Sequence, residues 1–313
     1  MDNVEQKDNL ALVTIISTAI KIPGIRINRE AFLRESFHAA SSEQKQAIVD
    51  NGPVDAGISK SELYKIARKI VYQRTLISTG ASFAAGLPGG IAMAATIPAD
   101  LLQFYAIALR MAQEIAYLYG ENDIWVGEIP DSDKVTNQLI LYCGVMLSAS
   151  GAAQAVRLMS SALAKQALKK LPQQALMKNF YYPIVKSIAK FFGARMTKGI
   201  FAGGVAKALP VVGGVVSGGI TFATLRPMGM RLVNTLEKAH FAYSEAEFKK
   251  DWDDVLAAGE REDVIDVDII DDEPEITSGA IISQIREAKE LFDDGILTED
   301  EFSQIKEKLI AQM

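Results

Sequence analysis

Three stretches of this sequence carry no charged side chain, and they set what the chain can fold into. Thr75–Ala99 is uncharged for 25 residues, Val135–Val156 is uncharged throughout, and Ala208–Leu225 is uncharged for 18. These lengths approach or reach what a helix needs to cross a bilayer. Yet all three are built on Gly, Ala, Ser and Thr rather than Leu and Ile, and small residues let helix backbones approach closely in water or in lipid. Two architectures stay open: close-packed helices in a water-borne core, or helices and re-entrant hairpins that enter a membrane, permanently or on a trigger. A mean hydropathy of +0.12 is below that of an ordinary multi-span protein.

The rest of the pattern is helical. Leu63, Ile66, Ala67, Ile70 and Val71 recur at helical spacing behind a Ser59-x-x-Glu62 box, and Asn28 and Ser41 stand where helix N-caps stand. Pro98 fits a first helical turn, Asp100 suits the positive end of the same helix, and Gly120 suits its left-handed stop. On that helix Gln103, Arg110, Gln113 and Glu114 share part of one face, with Arg110 and Glu114 spaced for an ion pair. Further helices are expected from Asp133 into the 150s, over Met159–Leu171, over Gln173–Arg195 with a kink at Pro183, and from Arg226-Pro227 to about Tyr243. Almost no run alternates with the period of a strand. The expected fold is all-α: a glycine- and alanine-rich helical domain over 1–250, an acidic disordered linker over 251–278, and a helical hairpin over 279–313.

The net charge of −6 conceals a division of sign. Residues 1–250 hold 28 basic and 19 acidic side chains, whereas 251–275 hold 12 acidic and one basic. Between Asp133 and Glu237 there is no carboxylate, against thirteen positive side chains, among them Lys165, Lys169, Lys170, Lys186, Lys190, Arg195 and Lys198. Most soluble surfaces mix both signs to relieve self-repulsion, so this stretch points to an anionic counterpart. Lys165 and Lys169, and Lys186 and Lys190, lie four apart on amphipathic segments, a pattern suited to anionic lipid. Nucleic acid fits less well. Aromatics interleave with the basic residues only at Phe180-Tyr181-Tyr182 and Phe191-Phe192, and no reader motif is present. The remaining counterpart is the acidic segment itself, folded back as a mask.

The chemistry of catalysis is thin. Cys143 is the single cysteine and His38 and His240 the two histidines, which excludes disulfide frameworks and cysteine-based zinc sites within the chain. No metal or cofactor is expected. Asp100, Arg110 and Glu114 are the best candidates for an enzymatic cluster, and architecture explains them as well.

Two segments resemble known families. Leu291-Phe292-Asp293-Asp294-Gly295-Ile296-Leu297-Thr298-Glu299-Asp300-Glu301-Phe302, flanked by Ile285 and Leu309, resembles the SHOCT module, a bacterial C-terminal helical hairpin. That resemblance implies oligomerisation or partner binding, with Phe292, Gly295, Thr298, Glu301 and Phe302 at its centre. Gly86, Pro88, Gly89, Gly90, Pro98, Asp100 and Gln103, then Arg110, Gln113, Tyr119 and Gly120, resemble the EcsC family over about 23–243. It implies a helical, membrane-linked bacterial protein without assigned catalytic residues. The expectation is a non-enzymatic protein, cytoplasmic and peripheral to or conditionally inserted in the cell membrane, with a stress or defence effector that perturbs the bilayer as one specific version. A soluble adaptor for an acidic protein partner is the alternative, and a lipid-directed enzyme a third.

Overall fold

The computed structural model describes residues 14–77, 99–125, 133–163, 184–185, 188, 218–260, 278–293, 295 and 297–310. Among these residues there are ten helices and no strand: α1 (Arg29–Ser36), α2 (Ser42–Asn51), α3 (Lys60–Ile77), α4 (Ala99–Leu118), α5 (Asp133–Met146), α6 (Ala152–Ser160), α7 (Gly218–Phe241), α8 (Glu245–Glu260), α9 (Ser278–Asp293) and α10 (Glu299–Ile310). A further helical segment covers 14–19. The all-α expectation holds. No described helix is long and apolar enough to cross a membrane.

The helix starts follow the capping chemistry read from the sequence. Asn28 Oδ1 accepts the Ala31 N–H at 2.9 Å, Ser41 Oγ accepts Gln44 N–H at 3.2 Å, and Ser59 Oγ accepts Glu62 N–H at 3.2 Å. Gly120 ends α4 at φ +93°; its N–H reaches Tyr117 O at 3.1 Å and the Glu121 N–H reaches Ala116 O at 3.0 Å, the paired bonds of a Schellman stop.

Helix α4 is the centre of the domain. From Phe104 to Tyr119 every residue is buried except Arg110, as expected of a helix enclosed on all sides. Helix α7 packs against it and also against α3, α5 and α6, while α1 closes the other flank of α4. Small residues permit these crossings. A Cβ on Gly229 of α7 would stand 2.8 Å from both Met111 Sδ on α4 and Val71 Cγ2 on α3, so the three helices meet at a point only glycine fits. Gly144 of α5 does the same for Ile188 Cδ1, at 2.6 Å.

Several expectations need correction. The helix from Asp133 does not continue into the 150s: α5 stops at Met146, Ser148 and Gly151 take φ of 58° and 76°, and α6 begins at Ala152. Serine at a left-handed stop gives no signal comparable to glycine, which is why the break was illegible. A helix over Met159–Leu171 is interrupted at its start, because the α6 C-cap Ser161 is extended. Helix α7 begins at Gly218 and runs through Pro227 rather than starting there. Most consequentially, the linker does not begin at Asp251. Helix α8 continues to Glu260, because Asp251 and Val255 are buried and Phe248 and Trp252 pack on the core at helical spacing.

Candidate functional site

The polar face of α4 is fixed by the chain that crosses it. Gln113 is fully buried, and all its capacity is used on groups that are otherwise buried too. Its Oε1 accepts Ile27 N–H at 3.2 Å and Trp125 Nε1–H at 2.8 Å, while its Nε2 donates to Ile25 O and Leu109 O, each at 3.0 Å. Next to it, Glu114 has only 2% of its side chain exposed. Arg74 of α3 grips that carboxylate with two bonds, Nε at 2.6 Å and Nη2 at 2.5 Å, and Arg110 adds Nε at 3.3 Å. Arg110 also donates from Nη1 to Gly24 O at 2.6 Å. The face therefore ties α3, α4 and the 24–27 segment together. Asp100 does not join it: lying 14 positions before Glu114 on one helix, it is displaced by about 21 Å along the axis. The enzymatic cluster built on Asp100, Arg110 and Glu114 is not assembled by this geometry, and the carboxylate it needs is already held by two arginines.

Other candidate reactive groups are placed as structure. Cys143 is buried, which pushes its thiol up to about 12, away from the thiolate range. His38 is exposed, with Nδ1 3.2 Å from Glu35 O, and His240 stacks on Tyr119 at 6.4 Å between centroids. No group of three or more metal-ligating side chains occurs among the described residues.

The carboxylate-free stretch is represented by Lys134, Arg157, Arg226 and Arg231. Arg157 meets Asp251 through Nε at 2.8 Å and Nη2 at 2.9 Å, and the Tyr243 hydroxyl donates to the same carboxylate at 2.7 Å. Arg231 donates to Met146 O at 3.1 Å, tying α7 to the end of α5. The acidic segment thus supplies a carboxylate to the basic stretch at one described point, where it locks α8 onto α6. The lipid-facing candidates Lys165, Lys169, Lys170, Lys186, Lys190, Arg195 and Lys198 lie outside the described residues, as do Gly86, Pro88, Gly89, Gly90 and Pro98. Gln103 lies on α4.

The start of α8 carries a capping box that the sequence held at Ser244-x-x-Glu247. Glu247 Oε2 accepts the Ser244 N–H at 3.1 Å, Ser244 Oγ accepts the Glu247 N–H at 3.3 Å, and Lys238 Nζ lies 2.7 Å from Glu247 Oε1. The Lys238 bond, with the Ser244 bonds behind it, lowers this exposed carboxyl from 4.5 to about 2. Because its folded pKa is depressed, its contribution is present above about pH 4.5 and fades as the pH falls through about 2. The expected NMR titration midpoint of the Glu247 carboxyl is near 2, moving up in Lys238→Met; a midpoint near 4.5 in the unmodified chain contradicts the cap.

The C-terminal hairpin has a small core of its own. Phe292 on α9 and Phe302 on α10 stack at 5.3 Å and 20°. Gly295 turns the chain at φ +68°, its N–H reaching Phe292 O at 2.9 Å; the Leu297 N–H reaches Leu291 O at 3.2 Å, and Thr298 O accepts the Phe302 N–H at 3.0 Å as α10 starts. Glu301 lies in the first turn of α10. Among the described residues, Ala288, Leu291 and Leu297 form a buried cluster with Tyr72 on α3, and α10 also touches α7. Sequence reasoning missed Tyr72: it lies off the α3 stripe that faces the main core, and nothing local marks it. Ile282 and Ile310, at the open end of the hairpin, are each 48% exposed.

Residues 283–310 match the family described as SHOCT, Short C-terminal domain. No curated protein and no solved structure matches the chain. The match covers the hairpin, and nothing in these comparisons ties the helical domain to the EcsC family.

Proposed function

We propose that this chain is a non-enzymatic interaction protein that meets anionic membrane surfaces through its carboxylate-free stretch and gathers protein partners through its C-terminal hairpin. The observation that carries the reading is the run between Asp133 and Glu237, with thirteen positive side chains and no acid. Basic residues near an anionic leaflet contribute roughly 1 kcal/mol each, so four to six of them hold a domain at the surface. The hairpin half is supported by the match of residues 283–310 to a short C-terminal domain and by a helical pair with a small apolar core of its own, which includes Tyr72 of α3.

Flotation of the full chain with vesicles tests the lipid half. Recovery is expected with phosphatidylglycerol-containing vesicles and not with phosphatidylcholine alone, and it is expected to fall in high salt. Reversing Lys165, Lys169 and Lys170 to Glu is expected to weaken partitioning by about 100-fold or more. Equal recovery with neutral vesicles, or none with either, rejects the reading. A second reading draws on the Arg157–Asp251 pair, which makes a protein carboxylate a fitting ligand for this stretch. On that reading the chain is an adaptor for an acidic protein, and salt-sensitive pull-down persists where vesicle binding is absent.

A further inference from the structure

We propose that Arg68 of α3 and Arg226 of α7 form a binding site for a phosphate-bearing anion beside Tyr72, and that the C-terminal hairpin closes it, so that anion and docked hairpin compete for one face. Neither guanidinium belongs to the lysine-rich segments at 165–198, and the cover is the hairpin rather than the 251–275 segment. The inference goes beyond the reading above: it places a compact anion site elsewhere in the chain and names what shuts it.

The packing of α3 on α7 brings the two arginines together. The helices run antiparallel: Lys60 Nζ lies 3.0 Å from Glu237 Oε1 at one end of the pair, and a Cβ on Gly229 would stand 2.8 Å from Val71 Cγ2 nearer the other. Arg226 is one turn before Gly229 and Tyr72 follows Val71, so this crossing sets them side by side. Tyr64, Arg68 and Tyr72 repeat at four-residue spacing on one face of α3, and the Arg68 guanidinium lies over the Tyr64 ring, 5.9 Å from its centroid. Both arginines are half-buried. Burial is the main cause that lowers the Arg226 guanidinium; the Tyr72 hydroxyl works against it and the Arg68 charge with it. Burial likewise pushes the Tyr72 hydroxyl up to about 12, against the pull of Arg226 and Arg68. Two partly desolvated guanidiniums in one another's field favour an anion beside them, and their planar forks suit phosphate oxygens.

The hairpin covers this face. Tyr72 is 2% exposed and shares a buried cluster with Ala288, Leu291 and Leu297, and α10 touches α7, the helix that carries Arg226. Charge favours the cover: residues 278–310 hold eight acidic and four basic side chains, whereas α3 holds one acidic and five basic. The site is thus closed by a surface of opposite sign, which an incoming anion displaces. Lys65 and Lys69, exposed on α3, extend the positive field beyond the arginines and draw a multiply charged anion toward them. A ligand that binds only the open form is weakened in proportion to the fraction of chains that are closed. The unmodified chain therefore binds weakly, and a change that loosens the hairpin reveals the site.

Titration of the full chain with inorganic pyrophosphate, followed by calorimetry, tests this without vesicles. Ala288→Gln places a longer, uncharged side chain in the buried cluster around Tyr72, and is expected to bind pyrophosphate about tenfold or more tighter than the unmodified chain. Adding Arg68→Gln or Arg226→Gln is expected to take that gain away. Equal binding by Ala288→Gln and the unmodified chain, or a gain that survives both arginine changes, overturns the proposal. If Ala288→Gln loses its helical circular dichroism, the unmodified chain decides through reciprocity. Pyrophosphate is expected to speed amide hydrogen exchange at Ala288, Leu291 and Leu297 beyond the effect of sodium chloride at the same ionic strength; exchange that is unchanged or slowed overturns the proposal. Phosphatidylglycerol vesicles then identify the source of the phosphate. If the arginine changes also weaken vesicle binding by Ala288→Gln, the ligand is a lipid phosphate; if they abolish pyrophosphate binding alone, it is a soluble one, and either result supports the site. Reversing Lys165, Lys169 and Lys170 to Glu is expected to leave pyrophosphate binding unchanged, so failure of flotation and failure of this site are told apart.

Discussion

Gln113→Leu is expected to lower the stability of the helical domain by about 3–5 kcal/mol, read as a fall in the urea midpoint at unchanged slope. Leucine fills much of the same volume, so the loss does not come from a cavity. It comes from stranding partners. Without the amide, the Ile27 N–H, the Trp125 indole N–H and the Ile25 carbonyl lose the bonds that Gln113 made to them. Ile25 and Trp125 are each about 1% exposed and Ile27 6%, so water cannot replace those bonds cheaply. The Leu109 carbonyl adds little, because it lies inside α4 where a backbone N–H serves it. One double variant separates this account from a packing effect. Gln113→Leu with Trp125→Phe removes one of the stranded donors and is expected to be milder than the sum of the single changes by about 1 kcal/mol. Strict additivity contradicts the hydrogen-bond account.

Glu114→Ala is expected to cost about 2–3 kcal/mol. Removing one partner of a fully buried ion pair costs roughly 3–5 kcal/mol, since the remaining charge is left without compensation. Here the carboxylate is buried, but the two guanidiniums are not fully so: the Arg74 side chain is 24% exposed and that of Arg110 is 35% exposed, and water relieves part of their charge. Arg74→Met is expected to cost more than Arg110→Met, because Arg74 makes the two short bonds and Arg110 makes one at 3.3 Å. The reverse order in chemical denaturation contradicts the geometry. Glu114→Gln, which keeps the shape, is expected to bind anionic vesicles as the unmodified chain does once it is folded.

Much of this fold was legible because its signals are local. Asn28, Ser41 and Ser59 cap the helices they precede, Gly120 ends α4, and the Gly295–Thr298 turn sets the hairpin, each through bonds within a few residues. The Arg110–Glu114 pair was legible for the same reason. What escaped depends on distant chain. Arg74 is 40 positions from Glu114, and Ile25 is 88 from Gln113, so no spacing rule connects them. Helix α8 was hidden by its own composition. Its acidic residues read as linker, whereas Phe248, Trp252 and Val255 form a stripe that packs on the core and Arg157 neutralises the one acid on that face. Of the three small-residue stretches, Val135–Val156 lies within the described residues, and there Gly144 brings α5 close to Ala152 and Ile188; most of Thr75–Ala99 and of Ala208–Leu225 lies outside the described residues.

The lipid half of the proposed function turns on charge meeting charge, and the most direct measurement is fractionation of the protein from the cells that make it. Membranes pelleted at low salt are expected to carry most of the protein, and a high-salt wash is expected to release it, because screening shortens the reach of exposed lysines and arginines to about 3 Å at 1 M. Protein found wholly in the supernatant at low salt, or retained in the pellet through the wash, contradicts contact by the basic stretch.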